Sequence, residues 1–227
     1  QPQIHQEIIK RTKELKDYYR DDNGFPYLLE VDPYRWLRRI QSFLSTGHFG
    51  SFRKASQEYD GLMSFPDGAK VEPLKFHFYL GAYWYKLLHA CDPHLSLMNC
   101  LAVLPVAVSV ILIVMIFVVS IQFGISYLGS FIASLAIGVC VLAIGRTTYG
   151  WFDTDIYNLI MPLCIFSATS AAFKSWAPRN LIFFVISGIL VGVYSALWSI
   201  WWLFFYIITA GMLLAALDSI LFDAQRS

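Results

Sequence analysis

The chain has 227 residues, is 57% hydrophobic and 17% aromatic, and has a mean hydropathy of +0.53 and a formal net charge of +1. Soluble domains lie nearer ~45–50% apolar, so this composition excludes an ordinary water-soluble protein and indicates a membrane protein. Residues 1–90 hold 24 of the 33 charged side chains, with bases matched by acids rather than gathered in a stripe, which excludes a nucleic-acid-binding signature.

The sequence opens at Gln1 in a helical pattern without signal-peptide features and closes at Ser227 soon after an apolar run. That profile is expected of a fragment cut at both ends, one lacking an N-terminal membrane anchor. Residues 4–20 predict an amphipathic helix of mixed charge. Asp21-Asp22-Asn23-Gly24 is a turn signal, and Phe25–Val31 is an extended apolar segment carrying Pro26. Asp32-Pro33 then predicts a helix start, with Asp at the cap and Pro at the first helical position, and the helix runs to about Ser45. Trp36, Leu37, Ile40 and Leu44 form its buried side; Arg35, Arg38 and Arg39 form a polar one. Residues 50–75, with Gly61, Pro66, Asp67-Gly68 and Pro73, read as a loop with its own turns. Phe76–Ala90 is an aromatic-rich helix too short to span and suited to the membrane–water interface.

From residue 93 to residue 145, 53 consecutive positions carry no Asp, Glu, Lys or Arg. As one helix this run would extend about 80 Å. A bilayer core needs only about 20 residues, so two spans are predicted, 96–121 and 127–145, broken at Gln122–Ser126. Further spans are predicted at 156–173, 181–197 and 203–221, separated by the loop Phe173–Asn180 and the aromatic turn Trp198–Trp202. The expected organisation is an external head over residues 1–92 and a five-span helical bundle over 93–227. Lys174, Arg179 and Arg226 fall on one side, which the positive-inside rule makes cytoplasmic. The head and the loop after residue 145 then share the opposite, extracytoplasmic face. Cys91, Cys100, Cys140 and Cys164 lack metal-type spacing and read as small packing residues.

Within Gly145–Asp155, Arg146, Asp153 and Asp155 interrupt an otherwise uncharged stretch. Charges cost several kcal/mol in hydrocarbon and persist with a partner or a function. Two carboxylates two residues apart can share a divalent cation, which takes oxygen ligands. Asp155, just ahead of the run 156–173, equally suits a helix cap, and Arg146 can pair with an aspartate or bind an anionic group. The shared face brings Asp32 into the same set, so three carboxylates are expected to converge on one cation. His77, and less so His48, can approach from the head as a weaker metal candidate, although an ordinary interfacial histidine is the commoner role. No Gly-x-Ser-x-Gly elbow and no phosphate loop are present. Nor does a line of polar residues run through the spans, which counts against a transporter.

Taken together, these motifs resemble the catalytic subunits of the oligosaccharyltransferases. Val31-Asp32-Pro33-Tyr34-Arg35-Trp36-Leu37-Arg38 is similar to the family's first acidic motif, an Asp-Pro-aromatic sequence with arginine six positions after the Asp. Gly145-Arg146-Thr147 through Trp151-Phe152-Asp153-Thr154-Asp155-Ile156-Tyr157-Asn158 resembles the second. Asn23-Gly24-Phe25-Pro26-Tyr27-Leu28 looks most like the archaeal branch, and Leu197–Trp202 resembles a Trp-rich turn. The resemblance covers nearly the whole chain. It implies an all-α membrane protein with a GT-C-type multi-span helical bundle, in which the predicted spans are the second to sixth of a larger protein.

The resemblance also implies metal-dependent transfer of an oligosaccharide from a lipid (pyro)phosphate carrier to Asn in Asn-x-Ser/Thr, with inversion at the sugar. The implied cofactor is Mn²⁺ or Mg²⁺. The implied partners are the lipid-linked oligosaccharide, an acceptor polypeptide and membrane lipid. Asp32 and Asp153 would be ligands, Asp32 would also engage the acceptor amide, Asp155 would support the site, and Arg146 would steady it or the phosphate. The family's later external-loop glutamate and its C-terminal domain with Trp-Trp-Asp have no counterpart, so the chain alone is expected to be inactive. Two competing readings are another glycosyltransferase using a polyprenyl-phosphate sugar and a hydroxyl acceptor, and a non-enzymatic cation-binding membrane subunit or transporter.

Overall fold

The computed structural model describes residues 2–21, 24–71, 75–173 and 178–222. Asp22 and Asn23 of the predicted turn lie outside the described residues, as do Lys174–Ala177 of the predicted loop and Arg226; the side chain of Arg179 is likewise not described. The helices are α1 (Pro2–Tyr18), α2 (Val31–Thr46), α3 (Lys75–Cys91), α4 (Leu97–Gln122), α5 (Tyr127–Gly138), α6 (Val141–Thr147), α7 (Tyr157–Phe173), α8 (Pro178–Ser195) and α9 (Trp201–Phe222). A 3₁₀ turn, Thr154–Ile156, leads into α7, and three short strands follow α2: β1 (Phe52–Lys54), β2 (Gln57–Asp60) and β3 (Ala69–Lys70). The chain divides into two compact units. The first comprises Gln1–Val71, Phe78–Ala107 and Gly145–Asp153; the second comprises Glu72–His77, Val108–Ile144 and Thr154–Ser227.

In the first unit the core gathers around α2. Trp36 and Ile40 are buried with Phe78, Ala82, Leu101 and Phe152. Phe78 lies 5.4 Å from the Trp36 ring and 5.1 Å from Phe49, which stacks on Phe43 at 4.5 Å. A Cβ on Gly81 of α3 would come within 2.5 Å of Ile40 Cδ1 and 3.0 Å of Phe152 Cζ. The absent side chain therefore lets the helices close. Gly47 ends α2 as expected, in the left-handed region at φ 79°, with its N–H on the Phe43 carbonyl at 2.9 Å.

Two local expectations fail here for identifiable reasons. Asp32 does not cap α2: the cap residue is Glu30, extended at φ −138° and ψ 172° and without a side-chain cap hydrogen bond. Asp32 is the second helical residue, where a carboxylate favours the helix dipole. Pro33 is still tolerated, because first-turn N–H groups have no intrahelical acceptor. Residues 50–75 are not simply a loop but carry an antiparallel sheet of order β1-β2-β3, in which Phe52 faces Tyr59, Arg53 faces Glu58 and Tyr59 faces Lys70. Its central strand buries Glu58 and Asp60, the reverse of the apolar alternation that announces a strand. Ion pairs make that inversion tolerable. Arg53 reaches Glu58 at 3.0 Å, Phe49 N–H donates to the same carboxylate at 3.1 Å, and Asp60 accepts from Arg38.

The second unit contains the apolar helices, α4 from Val108 onward. The break after α4 falls at the predicted place, with Gly124 at φ +83° and the Ser126 hydroxyl accepting from Gly129 N–H at 3.2 Å. The predicted span 127–145 is not one straight helix, since α5 and α6 meet at 61°. At the junction Cys140 N–H bonds the Ile137 carbonyl, an i−3 contact that tightens the turn before the helix restarts. Polar pairs join neighbouring helices. Gln122 donates to the Ser167 carbonyl at 2.7 Å, Thr169 meets Ser187 at 2.7 Å, and Tyr194 donates to Asn158 at 2.9 Å.

Among the described residues, Leu97–Gln122 and Thr154–Phe173 are long and apolar enough to cross a membrane, and the bent α5–α6 pair makes a third if it is one span. Leu181–Ser195 and Trp201–Leu214 are apolar but shorter. The five-span count is therefore not reached. α8 also begins at Pro178 and α9 at Trp201, each slightly earlier than expected.

Candidate acidic site

The acidic stretch is held in the first unit by its backbone before any side chain acts. Arg146 stands exposed in the last turn of α6. The chain then turns through Gly150, whose φ of +88° suits glycine. Gly150 N–H donates to the Ala102 carbonyl at 3.0 Å, and its own carbonyl accepts from Leu29 N–H at 3.2 Å. The loop is thus stitched between the start of α4 and the segment that enters α2. Phe152 is fully buried beside it, which sets the direction of the next residue.

That residue is Asp153, half-buried, and its Oδ1 accepts from the Trp36 indole N–H at 3.1 Å. Trp36 lies four positions after Asp32, so the two share one face of α2. The structure therefore brings Asp153 onto the helix that carries Asp32, beside the next turn. Asp32 itself is exposed and lines a cavity of about 510 Å³ with Tyr34, Arg35, Arg38, Gln41 and Met63. The Arg35 guanidinium lies 5.2 Å from the Trp36 ring, and that of Arg146 lies 4.9 Å from the Trp151 ring.

The remaining candidates fall in the second unit. Asp155 is half-buried within the 3₁₀ turn Thr154–Ile156. His77 is fully buried, with Nδ1 2.8 Å from the Tyr157 hydroxyl, and burial pulls its pKa down to about 3. The imidazole is therefore neutral at neutral pH.

Two contributors were not singled out from sequence. Trp36 was assigned only to a buried face, although its i+4 relation to Asp32 was the available signal. Asp60 gave none: it accepts from Arg38 and lies 3.8 Å from buried Arg39. Burial lowers the Arg39 pKa to about 10 against the opposing pull of Asp60, which leaves Arg39 charged. Carboxylate oxygens are suitable donors for Mn²⁺ or Mg²⁺. Asp32 and Asp153 fit such an ion in kind, but among the described residues no group of three His, Cys, Asp or Glu is gathered to hold one.

Residues 4–226 match the family described as "Oligosaccharyl transferase STT3, N-terminal". The chain belongs to this family. The dolichyl-phosphooligosaccharide-protein glycotransferase of Methanococcus voltae is 27% identical over 213 residues, covering 91% of this chain and 23% of that protein. The protein of the same name from Methanocaldococcus jannaschii is 26% identical over 192 residues, covering 78% and 20%.

Two solved structures share the fold. The Archaeoglobus fulgidus oligosaccharyltransferase in complex with Zn and sulfate has a TM-score of 0.69 at 22% identity, over 84% of this chain and 24% of that one. The archaeal oligosaccharyltransferase AglB from Archaeoglobus fulgidus, in complex with an inhibitory peptide and a dolichol-phosphate, has a TM-score of 0.67 at 20% identity, over 88% and 23%. The chain thus spans about a fifth to a quarter of the length of these relatives. The STT3-family chain has the helical GT-C-type fold of an integral membrane protein.

Proposed function

We propose that this STT3-family chain is the N-terminal membrane part of an oligosaccharyltransferase acting on Asn-x-Ser/Thr sequences at the extracytoplasmic face. The donor is an oligosaccharide on a dolichyl-type (pyro)phosphate carrier. The acceptor amide nitrogen attacks the sugar carbon from the side opposite the carrier phosphate, so the carbon–oxygen bond breaks as the carbon–nitrogen bond forms, and the configuration inverts. The amide loses a proton in the process.

The observation that carries this reading is the Trp36–Asp153 hydrogen bond. It sets one carboxylate of the second acidic motif against the helix bearing the first. Asp32 and Asp153 hold Mn²⁺ or Mg²⁺, with Asp155, two residues further along, supporting the set. When bound, such an ion acts as a Lewis acid on the departing phosphate. Asp32 also accepts a hydrogen bond from the acceptor amide, and Arg146 binds a carrier phosphate oxygen through its planar fork. A solved relative in complex with Zn and sulfate supports cation and oxyanion binding in this fold. His77, buried on Tyr157, is left out of the set.

The test is glycan transfer to fluorescent Asn-x-Thr and Ser/Thr-rich peptides by the intact protein in nanodiscs. The proposal requires transfer to the Asn peptide and its loss in Asp153→Ala at saturating Mn²⁺. Undiminished transfer by that variant, or transfer to hydroxyl acceptors alone, would overturn it.

A further inference from the structure

Helix α2 carries three arginines in close succession. Arg38 and Arg39 both meet Asp60. Arg35 lies over an aromatic ring: its guanidinium carbon is 5.2 Å from the centre of the Trp36 indole. Arg35 is half-buried and Trp36 is buried. A contact so placed is screened by water less than one at an open surface.

The indole is constrained on more than one side. Its ring lies 5.4 Å from that of Phe78, which is itself fully buried. Its Nε1–H donates to Asp153 Oδ1 at 3.1 Å. An indole has one polar atom, and that atom only donates. The polar influence of the ring on Asp153 therefore passes through this single bond.

A cation at the face of an indole attracts its π-electrons. Density drawn toward the guanidinium leaves Nε1–H more electron-poor and so a stronger donor. Linked polar contacts reinforce one another in this way where the surroundings are poor in water. Because Arg35 and Trp36 are adjacent on α2, the helix keeps cation and ring together, and Arg35, Trp36 and Asp153 all belong to the first unit.

We propose that Arg35 is a positioning residue for the acidic site. Seated on the Trp36 ring, it fixes the plane of the indole and strengthens the N–H bond that orients Asp153. It acts through Trp36, not by contact with the reacting groups. What Asp153 is oriented toward, a divalent ion, rests on the proposed function; the chain of contacts from Arg35 to Asp153 does not.

The experiment uses the intact protein in nanodiscs with ¹⁵N-labelled tryptophan, first without metal. The Trp36 Nε1–H resonance is assigned by its loss in Trp36→Phe. In Arg35→Gln its proton should move upfield as the hydrogen bond weakens, and in Arg35→Lys, which keeps a cation for the ring, it should stay near the wild-type position. Mn²⁺ is then titrated into the same proteins and the free ion is read by electron paramagnetic resonance. Arg35→Gln should weaken binding about two- to fivefold, the usual worth of a cation–π contact near a surface, and Arg35→Lys by less. In the Trp36→Phe background, Arg35→Gln should weaken it no further. A Trp36 resonance unmoved by Arg35→Gln would overturn the proposal. So would additive losses in the double variant, which would mean that the guanidinium pulls on the carboxylate directly. Failure of the proposed function gives a different result: Asp153→Ala binds Mn²⁺ as well as wild type, and Arg35 is then judged on the resonance alone.

Discussion

Trp36 and Asp153, 117 residues apart in sequence, are joined by an indole N–H to carboxylate hydrogen bond of 3.1 Å. The indole fixes one carboxylate oxygen and so orients the other, which is what a cation ligand requires of its supporting residues. Trp36→Phe keeps the ring volume and removes the N–H. Transfer should fall by about 10–100-fold, with the apparent Mn²⁺ requirement rising in parallel, as for loss of a ligand-orienting partner. A variant that loses stability but keeps its Mn²⁺ dependence would reduce Trp36 to a packing residue.

A second prediction concerns how α3 closes on α2. A methyl at Gly81 would meet Ile40 Cδ1, Phe152 Cζ and Leu101 Cδ2 at 2.5, 3.0 and 3.1 Å. Gly81→Ala gains helix propensity of up to ~1 kcal/mol, but overpacking costs ~1–3 kcal/mol and should dominate. The thermal midpoint in detergent should drop. Adding Ile40→Val, which deletes Cδ1, should restore much of the loss. Failure of the double variant to recover would place the strain elsewhere.

How much could be read in advance followed from whether the signal was local. α4 was legible to within a residue because a long uncharged run followed by Gly124 leaves little choice. The α5–α6 break was not, although Gly138 stands just before it: an isolated glycine is tolerated within an apolar helix, and the bend arises at a tightened turn around Cys140. The sheet was hidden because β2 turns Glu58 and Asp60 inward, toward arginines whose proximity no local pattern reveals. Asp32 was placed on the right helix but wrongly as its cap, because Glu30 takes the extended conformation that a cap needs. The expectation for Asp153 from topology was only that it shares a membrane face with Asp32; its hydrogen bond to an indole of α2 could not be read, because the contact is between distant parts of the chain.

The buried ion cluster behind α2 yields a third prediction. Arg39 is 1% exposed and relies on Asp60, which also accepts from Arg38. Asp60→Ala leaves a guanidinium buried without its carboxylate. The expected loss is ~3–5 kcal/mol, the usual cost of breaking a buried pair from one side. Arg38→Ala, at a side chain 39% exposed, should cost well under half of that. Denaturant midpoints of the two variants make the comparison, and equal losses would contradict the assignment of the burden to Arg39.

His77 supplies a pH dependence. Its folded pKa is lowered to about 3 by burial, from an ordinary value near 6.5. Between those values the unfolded chain binds the proton and the folded protein does not, so stability falls as the pH is lowered through that window. The contribution is fully present above pH ~6.5 and should lose on the order of 3 kcal/mol by pH 4. Carboxylates also titrate there, so the measurement is the difference between wild type and His77→Gln, which can still bond the Tyr157 hydroxyl. The wild-type midpoint should fall more steeply between pH 7 and pH 4. Parallel curves would mean that the imidazole is hydrated or already protonated.

Arg146 tests the division of labour within the acidic stretch. It is exposed, its guanidinium stacks over Trp151 at 4.9 Å, and it lies in the last turn of α6, seven residues before Asp153. Stacking fixes the plane of the fork, and a planar guanidinium suits an oxyanion. If it binds the carrier phosphate in the ground state as well as during transfer, Arg146→Lys should raise KM for the lipid-linked donor about tenfold while leaving KM for the peptide and the Mn²⁺ requirement nearly unchanged. Trp151→Leu, which removes the stacking surface but not the charge, should produce a smaller shift in the same constant. A change confined to peptide KM would instead place Arg146 on the acceptor side of the site.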